Sequence, residues 1–362
     1  MTTRGITVLA GGLKETQEIT RLAEVAGFDA AWSSEFLHRS AIVSVAAMAA
    51  ATTRIGVGTA IAYAVGRSPL VLANDARFLD EMSDGRFILG LGTGTRRMMT
   101  DWHGVPDPDR PASRIEELVP LLRRLWRLHE GPVRHQGRFY SVDIAPTAEV
   151  APPLRADIPV YTAGVNPRMI EAAGRVADGL VCHPTITGRY LDDLALPAIA
   201  RGAAKAGRSP GDVRLMGIVI CSIADDTGTA RREAAAQIAF YVAPKSYGPV
   251  MEAAGFGREA ATIRDAFRAG DHRAMIEAVS DGMLGQMAVA GTAAEVRDAL
   301  PALEERYDHA ALYSPSFTLP PERVAENTRA IIETFALPSP EAGGAVLPKG
   351  RESLRHILPP GQ

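Results

Sequence analysis

Short apolar runs rich in Val, Ile and Gly alternate with amphipathic stretches along most of the chain, and this rhythm constrains the fold more than any single motif. "GITVLAGG" leads into Lys14–Ala26, where Ile19, Leu22, Ala23 and Ala26 share one helical face and Gly27 closes the helix. "FDAAWSSE" reads as the second strand, followed by a helix across Ser40–Ala51. "RIGVGTAIA" is the third, and Ser68-Pro69 starts its helix as an N-cap followed by proline at the first position. "RFILGLGTG" is the fourth, and Ser113-Arg114-Ile115-Glu116 has the form of a capping box. The second half continues with "IPVYTAG" and a helix capped at Asn166-Pro167, "GLVCHP" and a helix within Tyr190–Ala206, "VRLMGIVICSI" and a helix to about Tyr241, then "HAALYS" and a helix near Glu322–Phe335. Eight apolar runs, each trailed by a helix, predict an α/β fold with a (β/α)8 TIM barrel, whose parallel strands are buried on both faces. A doubly wound sheet is the alternative that the pattern leaves open.

Three segments interrupt the rhythm. Gly131–Asp157 carries several prolines and reads as an excursion after the fourth unit, and residues 243–290 as a mostly helical insertion before the Thr292-Ala293-Ala294-Glu295 capping box. Pro338–Gln362 is punctuated by Pro and Gly and reads as a C-terminal tail after a single domain, residues 1–337. The chain has 362 residues, 46% hydrophobic and 22% charged, with a formal net charge of −3, which offers no basic footprint for nucleic acid. Its longest apolar stretches fall short of the roughly 18 residues of a membrane span. Two cysteines, Cys182 and Cys221, suit a reducing cytoplasm. The expected partners are a small-molecule substrate and a second copy in a homodimer, with neither nucleic acid nor membrane.

"GRFILGLGTGTRR" raises the question of a nucleotide loop. The Rossmann fingerprint fails because Thr95 stands at its third glycine place, and no G-K-[ST] of a P-loop occurs. At the end of a fourth barrel strand, Gly92 and Gly94 face an active-site mouth, where they admit a planar ligand or simply ease strand packing.

"LDEMSDGRFILGLGTG" resembles the strand-four signature of the bacterial luciferase-like oxidoreductases, barrels that use reduced flavin or the deazaflavin coenzyme F420. Further segments resemble the family in order: "AEVAGFDAAWSSE", "TTRIGVGTAIA", "RSPLVLANDARFLDEMSDGR", "RPASRIEELVPLLRRLW" and "IPVYTAGVNPRMIEAAGRVADGLVC". The last is closer to the deazaflavin-using branch than to the FMN-using monooxygenases. The resemblance covers roughly residues 5–335. It implies a luciferase-like TIM barrel and an oxidoreductase that uses coenzyme F420 for hydride transfer to or from a small organic substrate. An FMN-dependent monooxygenase is the alternative, and a non-redox lyase or isomerase, or a non-catalytic cofactor-binding protein, the alternatives from other classes. It also implies a non-prolyl cis peptide at the end of strand three, which falls between Ala60 and Ile61.

The expected cofactor contacts are Ala60, Ile61, Gly92, Thr93, Gly164, Val165 and Asn166, with Cys182 buried against the cofactor. The free N–H groups of the helix beginning at Asn166 suit a phosphate, although an ordinary N-capped turn would look the same. Glu35 occupies the family's acidic position beside the ring, and its bland role is a hydrogen bond at a strand end. Where the deazaflavin-linked dehydrogenases of this family follow that acid with a histidine, this chain has Phe36, and where they place a glutamate on strand four it has Thr95. Both departures speak against that subgroup's sugar-phosphate chemistry. His38 and His183 are then the candidates for proton transfer, and Tyr63 for donation from its phenol. Arg96 and Arg97 are candidates for the acidic tail of the deazaflavin, and Trp102 and His103 for the substrate side. No spacing suggests a metal site.

Overall fold

The computed structural model describes residues 2–9 and 11–337, so the expected tail lies outside the described residues. Its strands are β1 (Thr3–Thr7), β2 (Ala30–Ser33), β3 (Gly56–Thr59), β4 (Ala62–Tyr63), β5 (Phe87–Gly92), β6 (Val133–Gln136), β7 (Ser141–Ile144), β8 (Val160–Ala163), β9 (Gly179–Cys182), β10 (Arg214–Ile223), β11 (Ala288–Gly291) and β12 (His309–Tyr313). The parallel order β12-β1-β2-β3-β5-β8-β9-β10 closes through β10–β12 pairing. This is the (β/α)8 TIM barrel. Each barrel strand is followed by a helix packed outside it, such as Leu13–Ala26, Ala41–Ala51, Pro69–Met82 and Pro111–Trp126.

Local chemistry sets most of the helix starts. Ser68 accepts from the Val71 N–H with Pro69 behind it, Asn166 accepts from the Met169 N–H, and Thr292 and Glu295 form a reciprocal capping box. The box expected at Ser113–Glu116 does not form. Its helix begins two residues earlier at Pro111, whose missing N–H suits a first turn, and the Glu116 carboxylate pairs with Arg168 instead.

Two features were not foreseen. The proline-bearing excursion contains an antiparallel hairpin, β6–β7. The segment after the helix Thr227–Val242 is helical as expected, but it ends in β11, which pairs with the last residues of β10, Ile220–Ile223. The ten residues of β10 thus serve three neighbours in turn.

The barrel interior is filled rather than open. Trp32, Ile88, Tyr161, Val181, Met216 and Ala311 pack inside it, and the Trp32 Nε1–H donates to Nε2 of His309 at 2.9 Å. Gly5 makes this possible, because a Cβ there would lie 2.7 Å from the Trp32 indole nitrogen. A cis peptide joins Ala60 to Ile61, at the position the resemblance implied. It separates β3, which pairs with β2 and the start of β5, from β4, which pairs with the end of β5.

Candidate functional site

A cavity of about 830 Å³ opens at the C-terminal ends of the strands. Its floor is the top layer of the interior packing: Ala60 and Ile61 of the bulge, Ala163, Val181 and Ile218. Its walls come from the turn after β1 (Gly11, Gly12), the turn after β2 (Phe36, His38, Arg39), the helix Thr227–Val242 (Gln237, Phe240, Tyr241) and the segment after β12 (Ser316, Phe317). The surface is mainly apolar and aromatic, interspersed with hydroxyl, imidazole and amide groups and one guanidinium, a make-up that suits a small-molecule site.

The alternation of side chains along β9 decides what reaches this cavity. Val181 and His183 line it, whereas Cys182 between them points to the outer core beneath the helices. The expectation that Cys182 lies against a cofactor is therefore corrected. Burial pushes its thiol up to about 12, so it is inert as well as misplaced. His183 is the best-organised polar group. Its Nδ1 lies 2.9 Å from the Thr185 hydroxyl and accepts from the Thr185 N–H at 3.3 Å, an arrangement that suits the neutral tautomer with its proton on Nε2. Nε2 lies 3.4 Å from the Tyr247 hydroxyl, and the Tyr241 and Tyr247 rings flank the imidazole at centroid distances of 4.5 and 5.0 Å. Burial among these groups lowers its pKa to about 3, so it is a neutral N–H donor near pH 7. His38 lines the outer part of the cavity and is exposed.

Glu35 does not line the cavity. Its carboxylate accepts from Arg67 Nη1 and Nη2 at 2.9 and 2.7 Å, and from the Tyr63 N–H at 2.8 Å. Its own N–H donates to the Ile61 carbonyl at 2.9 Å. Glu35 thus ties the end of β2 to both sides of the bulge, which is the strand-end hydrogen-bonding role and not that of an acid beside the ring. Tyr63 is also outside the lining. It packs against the rings of Trp102 and His103, at 6.5 and 4.9 Å, and burial beside Glu35 pushes its phenol up to about 12. Phe36 closes this aromatic group with an edge contact to Trp102 at 5.6 Å. Arg96 and Arg97 are exposed and paired with Asp109 and Asp101.

The glycines of strand four have a packing explanation. A Cβ on Gly92 would lie 2.9 Å from Cδ1 of Ile61, and one on Gly90 would overlap the Thr59 carbonyl oxygen. These positions let the bulge lie on β5, and neither Gly92 nor Thr93 lines the cavity. Gly164 is likewise buried under the first turn of the helix Pro167–Val176, with Met169 Cβ 2.6 Å from where its own Cβ would be. Val165 and Asn166 follow it to the surface, Val165 accepting from the Tyr190 hydroxyl at 2.7 Å. So of the expected contacts the structure brings Ala60, Ile61, His38 and His183 to the cavity, and sets Gly164, Val165 and Asn166 outside its lining on the β8 side. Sequence reasoning missed Arg39, Gln237, Tyr241 and Tyr313. Gln237 accepts from the Ser316 and Phe317 N–H groups at 2.8 and 3.0 Å, pinning the segment after β12 over the cavity. Only tertiary structure joins these positions, and no short motif marked them. Among the described residues no group of His, Cys, Asp or Glu is placed to hold a metal ion.

The family model described as luciferase-like monooxygenase matches residues 1–310. The chain belongs to that family. An uncharacterized protein of Mycobacterium tuberculosis (strain ATCC 25618 / H37Rv) is 34% identical over 284 residues, covering 76% of this chain and 82% of that protein. Among solved structures, the coenzyme F420 dependent tetrahydromethanopterin reductase from Methanopyrus kandleri superposes with a TM-score of 0.75 at 24% identity, covering 92% of this chain and 99% of that one. The oxygenating constituent of 3,6-diketocamphane monooxygenase of Pseudomonas putida, in complex with FMN, gives 0.64 at 16% identity, covering 92% of this chain and 98% of that one. Both are likenesses of fold. The luciferase-like family is one of oxidoreductases, and its relatives include users of F420 and of FMN.

Proposed function

We propose that this chain is an oxidoreductase that uses coenzyme F420 for hydride transfer to or from a small organic substrate. The observation that carries this reading is the joining of an apolar cavity floor, built on the Ala60–Ile61 bulge, to a neutral histidine donor at the end of β9. The floor of Ala60, Ile61, Ala163, Val181 and Ile218 offers no formal charge and suits one face of a flat ring. In the first turn of the helix Pro167–Val176 the Met169 N–H is capped by Asn166 and the Ile170 N–H bonds the Asn166 carbonyl, which leaves the Arg168 N–H and the positive end of the helix for a phosphate beside Gly164 and Val165. Sequence similarity to the "putative coenzyme F420-dependent oxidoreductase" of Mycobacterium tuberculosis, 26% identical over 298 residues, supports the deazaflavin over FMN.

Bound F420 supplies a two-electron hydride carrier. The chain supplies position and hydrogen bonds. Ile61 and Ala60 set the depth at which a ring rests, and Phe240 and Phe317, stacked 4.9 Å apart at the rim, shield the space above it from water. His183 donates from Nε2–H to an oxygen that gains negative charge during hydride transfer, without itself being an imidazolium. Thr185 favours that tautomer.

Titration with F420 and with FMN, each followed by fluorescence, tests the cofactor. Tighter F420 binding, reduced at least tenfold by Ile61→Asp, is expected. FMN binding in preference to F420 would assign the monooxygenase chemistry, and binding of neither would overturn a redox role. For the assembly, we propose a cytoplasmic homodimer, supported by two free cysteines and by exposed Val71, Phe78 and Met82 on one face of the helix Pro69–Met82. A monomer mass in sedimentation would overturn the dimer. Among the described residues, no helix is long and apolar enough to cross a membrane.

A further inference from the structure

We propose that the substrate bound in this cavity is an organic carboxylate with an apolar body, and that Arg39 is the residue that selects it. Among the described residues, Arg39 is the only Arg, Lys, Asp or Glu that lines the cavity. Other arginines around the barrel mouth are neutralised: Arg67 by Glu35, Arg96 by Asp109, Arg97 by Asp101 and Arg323 by Glu233. Arg39 has no carboxylate partner among the described residues. Burial lowers its pKa, and the one acidic group that acts on it is the phenol of Tyr313, which is neutral near pH 7. A half-buried guanidinium left without an anion is costly unless a ligand supplies one. Its planar fork of N–H donors matches a carboxylate in both geometry and charge.

The loop holds this cation in place. The Arg39 N–H donates to the Phe36 carbonyl at 3.2 Å and its carbonyl accepts from the Phe36 N–H at 3.1 Å, so the backbone is closed on itself just before the helix Ala41–Ala51. Arg39 also stands apart from the proposed phosphate contact. It follows β2, whereas Asn166 follows β8, and β3 and β5 lie between them in the barrel. The cation therefore serves a different part of the mouth from the cofactor tail. Around it, Val43, Phe240, Tyr241 and Phe317 present apolar surface to the remainder of the ligand. A neutral substrate would leave the cation unpaired, and a cationic one would be repelled, with no carboxylate among the described lining residues to receive it.

This inference rests on the reading of the mouth as the ligand site, and its test works with or without F420. Matched probes, 4-phenylbutyrate with 4-phenylbutanamide and 2-naphthoate with 2-naphthamide, are titrated calorimetrically into the full chain at low ionic strength. The same titrations use Arg39→Met and Arg39→Lys, with Arg39→Gln as the replacement should the methionine variant fail to fold. We expect each carboxylate to bind at least tenfold more tightly than its amide, Arg39→Met to abolish that preference, and Arg39→Lys to keep part of it. Equal affinities for acid and amide, no binding of any probe, or a preference that survives Arg39→Met would each overturn the proposal. So would an F420 affinity that falls tenfold in Arg39→Met while the carboxylate preference stays. Failure of the cofactor reading looks different: no F420 binding by the wild type, with the acid preference of the cofactor-free protein intact.

Discussion

Glu35→Gln separates a positioning residue from a catalytic one. The carboxylate accepts three hydrogen bonds, two of them from one guanidinium, and both side chains are largely shielded, with 13% of the Glu35 side chain and 18% of the Arg67 side chain exposed. An exposed ion pair contributes about 0.2–1 kcal/mol, whereas breaking a buried one costs about 3–5. This geometry lies nearer the second case, and the glutamine still accepts from the Tyr63 N–H. We expect Glu35→Gln to cost about 2–3 kcal/mol. In a domain of this size that lowers the melting temperature by roughly 3–4 °C. Arg67→Met should cost more, because it strands Asp75, 3.4 Å from Arg67 Nε, as well as Glu35. The double variant should be more stable than the sum of the singles predicts, with a coupling of about 2 kcal/mol.

Urea unfolding of the four proteins at neutral pH measures that coupling, and F420 titration of each reads the effect on the cavity floor. The backbone bond from residue 35 to the Ile61 carbonyl survives the substitution; what is lost is the charged Arg67 anchor on the side chain that holds the Tyr63 N–H, and this should loosen the bulge and weaken ring binding several-fold. A coupling below about 0.5 kcal/mol, with wild-type stability for Glu35→Gln, would refute the clamp. If that variant also bound F420 normally and lost turnover, Glu35 would be restored as a catalytic acid.

Three further outcomes follow from the same geometry. Burial lowers the pKa of His309 to about 3, so the unfolded chain takes up its proton first as pH falls; its contribution to stability should be full above about pH 6.5 and decline by about 1.4 kcal/mol per pH unit towards pH 3, beside the like contribution of His183, and a urea-derived slope unchanged by His309→Gln would contradict this. Gly90→Ala should cost more than about 3 kcal/mol because its Cβ meets backbone at Thr59, whereas Gly92→Ala meets only the end of the Ile61 side chain and should cost about 1–2; the reverse order in thermal unfolding would sink the packing account of these glycines. Cys182 and Cys221 are buried with thiols pushed up to about 12, so iodoacetamide at pH 8 should leave both unmodified in the folded chain and label them in urea, as mass spectrometry would show.

The barrel was legible in the sequence because its parallel strands must be apolar on both faces. "FILGLG" and "RLMGIVICSI" therefore stand out as continuous runs, and caps such as Ser68-Pro69 and Asn166-Pro167 mark the turns after them. β11 escaped notice because "AVAG" is four residues long and follows directly on the helix ending at Met287. So short an apolar run carries no period of its own. The unused capping box shows the converse: Ser113 and Glu116 have the right spacing, but Pro111 takes the first turn before them.

The candidate site was legible only where chain position alone fixes direction. Counting inward from β9 would have sent Val181 and His183 to one side and Cys182 to the other, since strand neighbours face opposite ways. Glu35 was harder to place, because its role depends on Arg67, 32 residues away, and a carboxylate with a bidentate partner does different work from a free one. Arg39 carried no signal at all. What distinguishes it from Arg67 or Arg323 is the acid it lacks, and a missing partner is visible only once every side chain around the cavity has its place. Charge recognition in this mouth is therefore a property of what the fold withholds from one guanidinium, and no local pattern of residues encodes it.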